Sequence, residues 1–197
     1  DPQTISYGKH LSLMGVISSI ANRLDSPLLF NYIGPVQLAI YSFATIIPQQ
    51  IENVLGHIET LAFPKLASKS QTEMKASLMK KFWRLALLTV IVMLIYIMVI
   101  PFFYKIFFPR YLDSILYSQI FMLSSISLPI SLLGTAFKAK MMKKELYLMK
   151  AGAFSKIVLM AILIPLYGIW GAIAAAIATE IFKSGLVLFL FLKKFRA

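Results

Sequence analysis

The sequence predicts an all-α, polytopic membrane protein that forms a single bundle of six transmembrane helices. Of its residues, 59% are hydrophobic and only 14% are charged, and the mean hydropathy is +0.78. A soluble domain needs more polar surface than this, so the composition favours a chain that lies largely in a bilayer. Six apolar segments follow one another, and clusters of basic residues separate them.

Each of the six segments is long enough to cross the hydrocarbon core, which takes about 20 apolar residues as a helix. They cover residues 11–33, 36–66, 82–103, 112–137, 147–167 and 169–192. The short connections NYIGPV and LYGIWG predict that the first two segments, and likewise the last two, are antiparallel neighbours. The stretch 67–81 mixes basic and apolar residues, which predicts either a helix in the membrane interface or a solvated linker.

The basic residues predict the orientation of the bundle. Fifteen of the 20 fall on one side of the six segments, whereas Lys105 and Arg110 fall on the other. The fifteen are Lys9, Lys65, Lys69, Lys75, Lys80, Lys81, Arg84, Lys138, Lys140, Lys143, Lys144, Lys150, Lys193, Lys194 and Arg196. The positive-inside rule therefore predicts a multi-pass protein of the cytoplasmic membrane with both ends of this segment in the cytoplasm. Because the charge alternates with the segments, the net charge of +12 does not indicate a nucleic-acid partner.

Several kinds of chemistry lack a signature in the sequence. There is no cysteine, and the two histidines have no second metal ligand at helical spacing. No glycine-rich nucleotide loop or Ser-His-Asp set is present, so we expect no catalytic residues, no metal, no cofactor and no enzymatic activity. The chain begins with Asp1 and shows no signal-like region, which predicts that it is a fragment or one half of a longer protein.

Polar residues form stripes on the first two predicted helices. At about 100° per residue, Asn22 and Arg23 share an arc with several serines, and Asp25 falls at the edge of that arc. Residues two apart do not face each other on a helix, so Arg23 and Asp25 are not expected to pair. We expect Pro27 to kink or loosen the helix just after them. The second helix places Gln49, Glu52, Asn53 and Glu59 on one broad face.

The last two segments add three further charges. Lys156 lies in the fifth segment, and Glu180 and Lys183 form an i,i+3 pair in the sixth that can neutralise itself. A charge at the centre of a bilayer costs about 2.5–3.5 kcal/mol on insertion scales. Long polar stripes are satisfied more simply by a water-filled cavity than by a sealed network between helices, so we favour a cavity. Its candidate residues are Asn22, Arg23, Asp25, Gln49, Glu52, Asn53, Glu59, Lys156, Glu180 and Lys183.

Three stretches of the sequence carry motifs that follow one another in a characteristic order. The stretch YGKHLSLMGVISSIANRLDSPLLFNYIGPVQLAIYSFATIIPQQI (7–51) has a central aspartate, a short glycine turn and a following A-x-YS-x-A pattern. FPKLA (63–67) closes the next helix, and PLYGIWGAIAAAIATEI (165–181) joins the last two predicted helices. In this order and spacing the motifs resemble the C-terminal half of bacterial flippases for O-antigen-type and other polysaccharides, and the similarity extends over essentially the whole chain.

The resemblance implies membership of the multidrug/oligosaccharidyl-lipid/polysaccharide exporter superfamily, in which two six-helix lobes face each other across a cavity. This chain would be the second lobe, and the missing N-terminal six-helix bundle would be its partner. The substrate would be an undecaprenyl-diphosphate-linked oligosaccharide, moved by alternating access. Membrane lipids and polysaccharide polymerase machinery would be further partners. Among the cavity candidates, Arg23 is the best suited to contact the diphosphate, because a guanidinium group can bind two phosphate oxygens at once.

Two alternatives stay open at this stage. One is a different cargo within the same superfamily, either in a lipid II flippase or in a cation-coupled drug exporter. The other is a membrane scaffold or assembly subunit that does not transport. The scaffold hypothesis predicts that Arg23, Asp25, Glu52 and Glu59 are sealed between helices.

Overall fold

The computed structural model describes residues 12, 15, 16, 19, 23–67, 71–140 and 142–194, and all regular structure in these ranges is helical. The α-helices that it delimits are α1 (Asp25–Ala67), α2 (Gln71–Phe107), α3 (Ser114–Met122), α4 (Leu128–Ala139) and α5 (Lys143–Lys194). Short 3₁₀ helices cover Pro109–Tyr111 and Leu123–Ser127. The all-α prediction is therefore confirmed for the part of the chain that the structure describes.

The chain reverses within α1 at Gly34. This glycine has φ 84° and ψ 174°, a combination essentially restricted to glycine that ends the helical path. The hydroxyl of Tyr41 donates a hydrogen bond of 2.9 Å to Asp25 Oδ2, although an unbroken helix would separate the two residues by about 24 Å. The segments before and after Gly34 are therefore antiparallel neighbours, as the short turn predicts.

A second reversal divides α5 at Gly168, which has φ 57° and ψ −128°. Lys194 Nζ lies 3.4 Å from Glu145 Oε1, whereas an unbroken helix would place these residues about 74 Å apart. The two halves of the hairpin approach closely at Gly171, where a Cβ atom would lie 2.0 Å from the carbonyl oxygen of Leu163. The antiparallel arrangement predicted for segments 147–167 and 169–192 is thus confirmed.

Helix α2 begins earlier than the segment 82–103 that hydropathy picks out. It runs without a break from Gln71 to Phe107. Leu78 is fully buried in one cluster with Phe137 and Phe191, so this part of the helix packs against α4 and α5. From residue 71 onward, the stretch 67–81 is therefore neither a separate interfacial helix nor a linker, because it is part of α2 and its Leu78 and Met79 continue the core contacts of that helix.

The predicted segment 112–137 is divided into α3, the 3₁₀ helix Leu123–Ser127 and α4. Pro129 explains the division. Proline has no N–H to donate to the carbonyl of Ser125, and its ring would clash with that carbonyl in a continuous α-helix. The N–H of Leu128 instead bonds to Ser125 O in the tighter 3₁₀ pattern.

Four helical stretches in the described ranges are long and apolar enough to cross a membrane. They are Asp25–His57, Lys75–Phe107, Ser114–Ala139 and Lys144–Lys194. Two thirds of the apolar window in Ser114–Ala139 (67%) is buried, against 17–33% in the other three. The stretch Ser114–Ala139 is therefore the centre of the bundle, and the other helices turn apolar surface outward, as expected of a multi-pass membrane protein.

The bundle has one basic end. A buried cluster that includes Leu78, Phe137, Leu146 and Phe191 joins the start of α2, the end of α4 and both ends of the α5 hairpin. The flanking basic residues therefore share this end of the molecule; they include Lys80, Lys81, Arg84, Lys138, Lys140, Lys144, Lys193 and Lys194. The two reversals lie at the other end, where the Ile33 side chain approaches Gly168.

Replacing Gly34 by alanine tests the first reversal. No atom lies within 4 Å of a Cβ built on Gly34, so the penalty comes from the backbone torsions alone. We expect Gly34→Ala to lower the free energy of unfolding by about 1–3 kcal/mol. Gly56 is helical and has equally open surroundings, so the control Gly56→Ala should be neutral or slightly stabilising. Unfolding in mixed detergent micelles measures both, and equal effects would contradict the assignment.

Candidate functional site

The helix is interrupted next to Arg23. Leu24 is a bend between the helical residues Arg23 and Asp25. Pro27 explains the position of this break. In a continuous helix residue 27 would donate its N–H to the carbonyl of Arg23, but proline has no N–H and its ring would clash with that carbonyl. The loosened helix predicted just after Asp25 is therefore found one residue before it.

Asp25 and Arg23 have different environments. Asp25 is buried, and its carboxylate accepts hydrogen bonds from the Tyr41 hydroxyl and from the backbone N–H of Ser26, both at 2.9 Å. Arg23 is exposed, and among the described residues no ion pair joins it to Asp25. This agrees with the prediction that the two side chains do not pair. The tyrosine supplies the buried carboxylate with the donor that it needs in an apolar environment.

Arg23 borders a polar cleft of about 590 Å³ between the two arms of the α1 hairpin. Serine and threonine side chains line much of it, together with Gln49 and Asn53. The residues that the described part of the chain contributes are Ser19, Arg23, Asp25, Ser26, Tyr41, Ser42, Thr45, Ile46, Gln49 and Asn53. Hydroxyl and amide groups offer both donors and acceptors, so the cleft is suited to water or to a polar ligand.

A second polar cavity of about 380 Å³ lies between α1, the Leu123–Ser127 turn and the α5 hairpin. Four charged residues from the sequence prediction line it, namely Glu52, Lys156, Glu180 and Lys183. The tertiary structure brings these residues together from helical segments that are far apart in sequence. Hydrogen bonds and ion pairs then hold the charged groups in place.

Glu52 is held by the 3₁₀ turn. Its Oε1 atom accepts hydrogen bonds from the hydroxyls of Ser124 at 2.8 Å and Ser125 at 2.9 Å. Consecutive side chains point about 100° apart on an α-helix and about 120° apart on a 3₁₀ helix, so the shared oxygen lies between the two serines. The segment that joins α3 to α4 thus provides a binding position for a carboxylate inside the bundle.

Glu180 and Lys183 form the predicted i,i+3 ion pair, with 2.7 Å between Oε1 and Nζ. The lysine stem crosses the hairpin over Gly152, which is buried. A Cβ atom on Gly152 would lie 2.2 Å from Lys183 Cγ and within about 3.2 Å of Cδ and Cε. The absence of a side chain at this position therefore allows Lys183 to lie along the cavity wall.

The cleft and the cavity are neighbours, because Gln49 and Asn53 line both of them. Together they are called the polar groove, which has Arg23 in the cleft and Lys183 in the cavity. It contains three basic residues and three carboxylates from the predicted set: Arg23, Lys156, Lys183, Asp25, Glu52 and Glu180. Within the described ranges, no group of three or more His, Asp or Glu side chains is placed to hold a metal ion.

Two predicted site residues are not placed in this groove. Asn22 lies outside the described residues. The backbone of Glu59 is helical, but its side chain lies outside the part that the structure describes. The predicted set also missed Ser124, Ser125 and Gly152. The run LSSIS before Pro129 was the available signal for the serines, whereas no local feature marks Gly152.

Several long helices could span a membrane, and together with the charged groove between them they are consistent with a multi-pass membrane protein that has a polar interior. Comparison with protein-family models, with curated proteins and with solved structures finds no match for this chain. Its function is therefore inferred from the groove and from the motifs of its sequence.

Removing the Tyr41 hydroxyl tests how Asp25 is accommodated. Tyr41→Phe leaves a buried carboxylate without one of its donors, which should lower the free energy of unfolding by about 1–3 kcal/mol. Tyr32 lies on the same hairpin and is 54% exposed, so Tyr32→Phe is the matched control and should change stability little. Denaturation of both variants in detergent provides the measurement. A Tyr41→Phe protein as stable as the control would show that the hydrogen bond is unimportant.

A double-mutant cycle tests the contact between Gly152 and Lys183. We expect Gly152→Ala to destabilise the protein by about 1–3 kcal/mol, because the added methyl group overlaps the lysine stem. Adding Lys183→Ala should recover most of this loss, which gives a coupling energy in the cycle. Gly185 has open surroundings, so Gly185→Ala is the control and should show no such coupling. Additive effects of Gly152→Ala and Lys183→Ala would refute the contact.

Proposed function

We propose that this chain is one six-helix lobe of a flippase in the bacterial cytoplasmic membrane, which moves an undecaprenyl-diphosphate-linked oligosaccharide for surface polysaccharide export. The main support is the polar groove, whose two neighbouring parts hold Arg23 and Lys183 and lie along helices able to span a membrane. The sequence motifs that resemble polysaccharide flippases provide the second support, and they suggest the class of cargo.

The reversals at Gly34 and Gly168 support the proposed count of six spans. Each divides a long helix into two antiparallel arms, and α2 and the Ser114–Ala139 stretch supply the other two spans. The basic end of the bundle then faces the cytoplasm by the positive-inside rule, and both ends of the segment lie on that side. The reversals face the outer leaflet in this arrangement.

The depth of the cations supports a path across the membrane. Arg23 precedes the Gly34 reversal by about 16 Å along the helix axis, and Lys183 follows the Gly168 reversal by about 22 Å. The hydrocarbon core is about 30 Å thick, so both groups lie well inside it. Basic groups at successive depths can hold a diphosphate in turn. Arg23 is suited to the bidentate contact, and the lysines act as point charges.

The exposure of Arg23 supports a second lobe. Arg23, Gln49 and Asn53 are exposed along the groove, and contact between such groups and lipid tails would be costly. A facing bundle that encloses water with the groove removes this cost, and rocking of the two lobes would provide alternating access. The scaffold hypothesis agrees with the burial of Asp25, but it predicts a sealed Arg23. The exposed guanidinium therefore favours a transporter.

Replacing Arg23 tests the proposal in the protein as the cell expresses it. Arg23→Ala should reduce polysaccharide export by roughly 100-fold, as expected for the loss of a charge-assisted bidentate contact inside a bundle. Arg23→Lys should retain partial activity, because lysine keeps the positive charge but cannot make the two parallel hydrogen bonds of a guanidinium group. Immunodetection of surface polysaccharide measures export, and membrane fractionation checks insertion.

The exposed Arg84 at the basic end is the matched control, and Arg84→Ala should export normally. Full export by the inserted Arg23→Ala protein would refute the proposed role. Uptake or efflux of a cationic drug that depends on the groove, with unchanged polysaccharide, would favour the drug-exporter alternative. If Arg23→Ala abolished the translocation of lipid II and left polysaccharide export unchanged, the lipid II flippase alternative would be favoured.

A further inference from the structure

A separate groove of about 500 Å³ lies at the end of the bundle that carries the two reversals. Gln37 follows Gly34 closely, Trp170 follows Gly168, and Asp113 immediately precedes α3. None of the residues that line this groove lines the polar groove between Arg23 and Lys183. Its volume is in the range of small-molecule sites, which is about 300–1,000 Å³.

An aromatic pair forms one wall of this outer groove. The rings of Tyr117 and Trp170 meet edge to face, with centroids 5.0 Å apart and planes at 64°. Trp170 is 45% exposed, so part of the indole is open to a ligand while Tyr117 supports it. An open ring face attracts the polarised C–H groups on the flat side of a sugar by dispersion and by its quadrupole.

Polar side chains surround the aromatic pair. Asp113 and Gln37 are exposed at the groove, and each offers acceptors to adjacent hydroxyl groups. Gln119 is held in position because its Nε2 donates a hydrogen bond of 2.9 Å to the carbonyl oxygen of Ile97. Aromatic faces next to carboxylate and amide groups are the combination that recognises the two sides of a pyranose ring.

The charge and the remaining lining narrow the ligand class. Among the described residues, no basic side chain lines the groove, and Asp113 is an anion, so a phosphate group would be repelled rather than held. Leu112 and Leu116 are 41% and 55% exposed in the same groove. A neutral saccharide held at a membrane surface satisfies the indole face and the acceptors of this groove, while the exposed leucines form its apolar edge.

We propose that this outer groove binds the saccharide part of a membrane-anchored glycolipid. The inference rests on the proposed function in one respect, namely that the glycolipid is the translocated substrate and the groove lies on the side where it emerges. The groove at Arg23 takes the diphosphate, and the outer groove takes the sugar. The two grooves thus divide the recognition of an amphipathic substrate between charge and ring stacking.

Tryptophan fluorescence tests this inference at a single site. The chain has two tryptophans, and Trp83 lies near the basic end, so Trp83→Phe leaves Trp170 as the only reporter. The protein in phosphatidylcholine vesicles is titrated with octyl glucoside, octyl galactoside and octyl N-acetylglucosaminide below their micellar concentrations. Octyl tetraethylene glycol ether is the control with the same chain and no sugar.

At least one glycoside should change the emission of Trp170 saturably, and the ether should not. Asp113→Ala should weaken that response by roughly tenfold, as expected for the loss of a hydrogen bond to a charged group. The complementary variant Trp170→Phe retains Trp83, which should not respond. Equal responses to the ether and to all three glycosides would show a site for alkyl chains only, and would overturn the proposal. Absence of any response would overturn it as well.

The outcomes at the two grooves are separable. A saturable glycoside response together with normal export by Arg23→Ala would refute the proposed transport role and leave the sugar site standing. Loss of export by Arg23→Ala without any glycoside response would refute the sugar site alone.

Discussion

The backbone reversals at Gly34 and Gly168 are the constraint on which the interior of this bundle depends. Both glycines have positive φ, and each folds a long helix into a tight antiparallel hairpin. The reversal at Gly34 brings Asp25 to Tyr41, and the reversal at Gly168 places the stem of Lys183 over Gly152. The hydrogen bond between Asp25 and Tyr41 and the packing of Lys183 on Gly152 each join the two arms of one hairpin, so both follow from these turns.

In the hairpins and helices that line the polar groove, each of the three carboxylates Asp25, Glu52 and Glu180 accepts a hydrogen bond from the protein. Asp25 accepts from Tyr41, Glu52 accepts from Ser124 and Ser125, and Glu180 pairs with Lys183. Such matching is what a low-dielectric environment requires, because an uncompensated charge there is costly. The anions are thereby fixed to the protein, while Arg23 remains exposed at the cleft that it lines.

The two grooves are proposed to bind different parts of one substrate, the diphosphate and the sugar, because their side chains differ. The groove from Arg23 to Lys183 combines hydroxyl and amide groups with three basic side chains and three carboxylates. Because each carboxylate already has a donor within the protein, the exposed Arg23 suits an anionic, hydrated headgroup. The outer groove combines Trp170 and Tyr117 with Asp113, and no basic residue is among the described residues that line it. A lipid-linked saccharide has both kinds of surface, so one substrate can account for two sites of opposite character.

The sequence by itself determined the all-helical class, the approximate positions of the apolar segments and the clustering of basic residues, because these depend on local composition. It determined the two glycine turns as well, because these depend on backbone torsions. It also identified the Glu180–Lys183 pair, since an i,i+3 spacing is set by helix geometry. Only the tertiary structure decided that α2 begins at residue 71, because Leu78 becomes apolar core only where α4 and α5 cover it. The same holds for the serine contacts of Glu52 and for the role of Gly152. Both depend on which helices meet, and the pattern within a single helix carries no information about its neighbours.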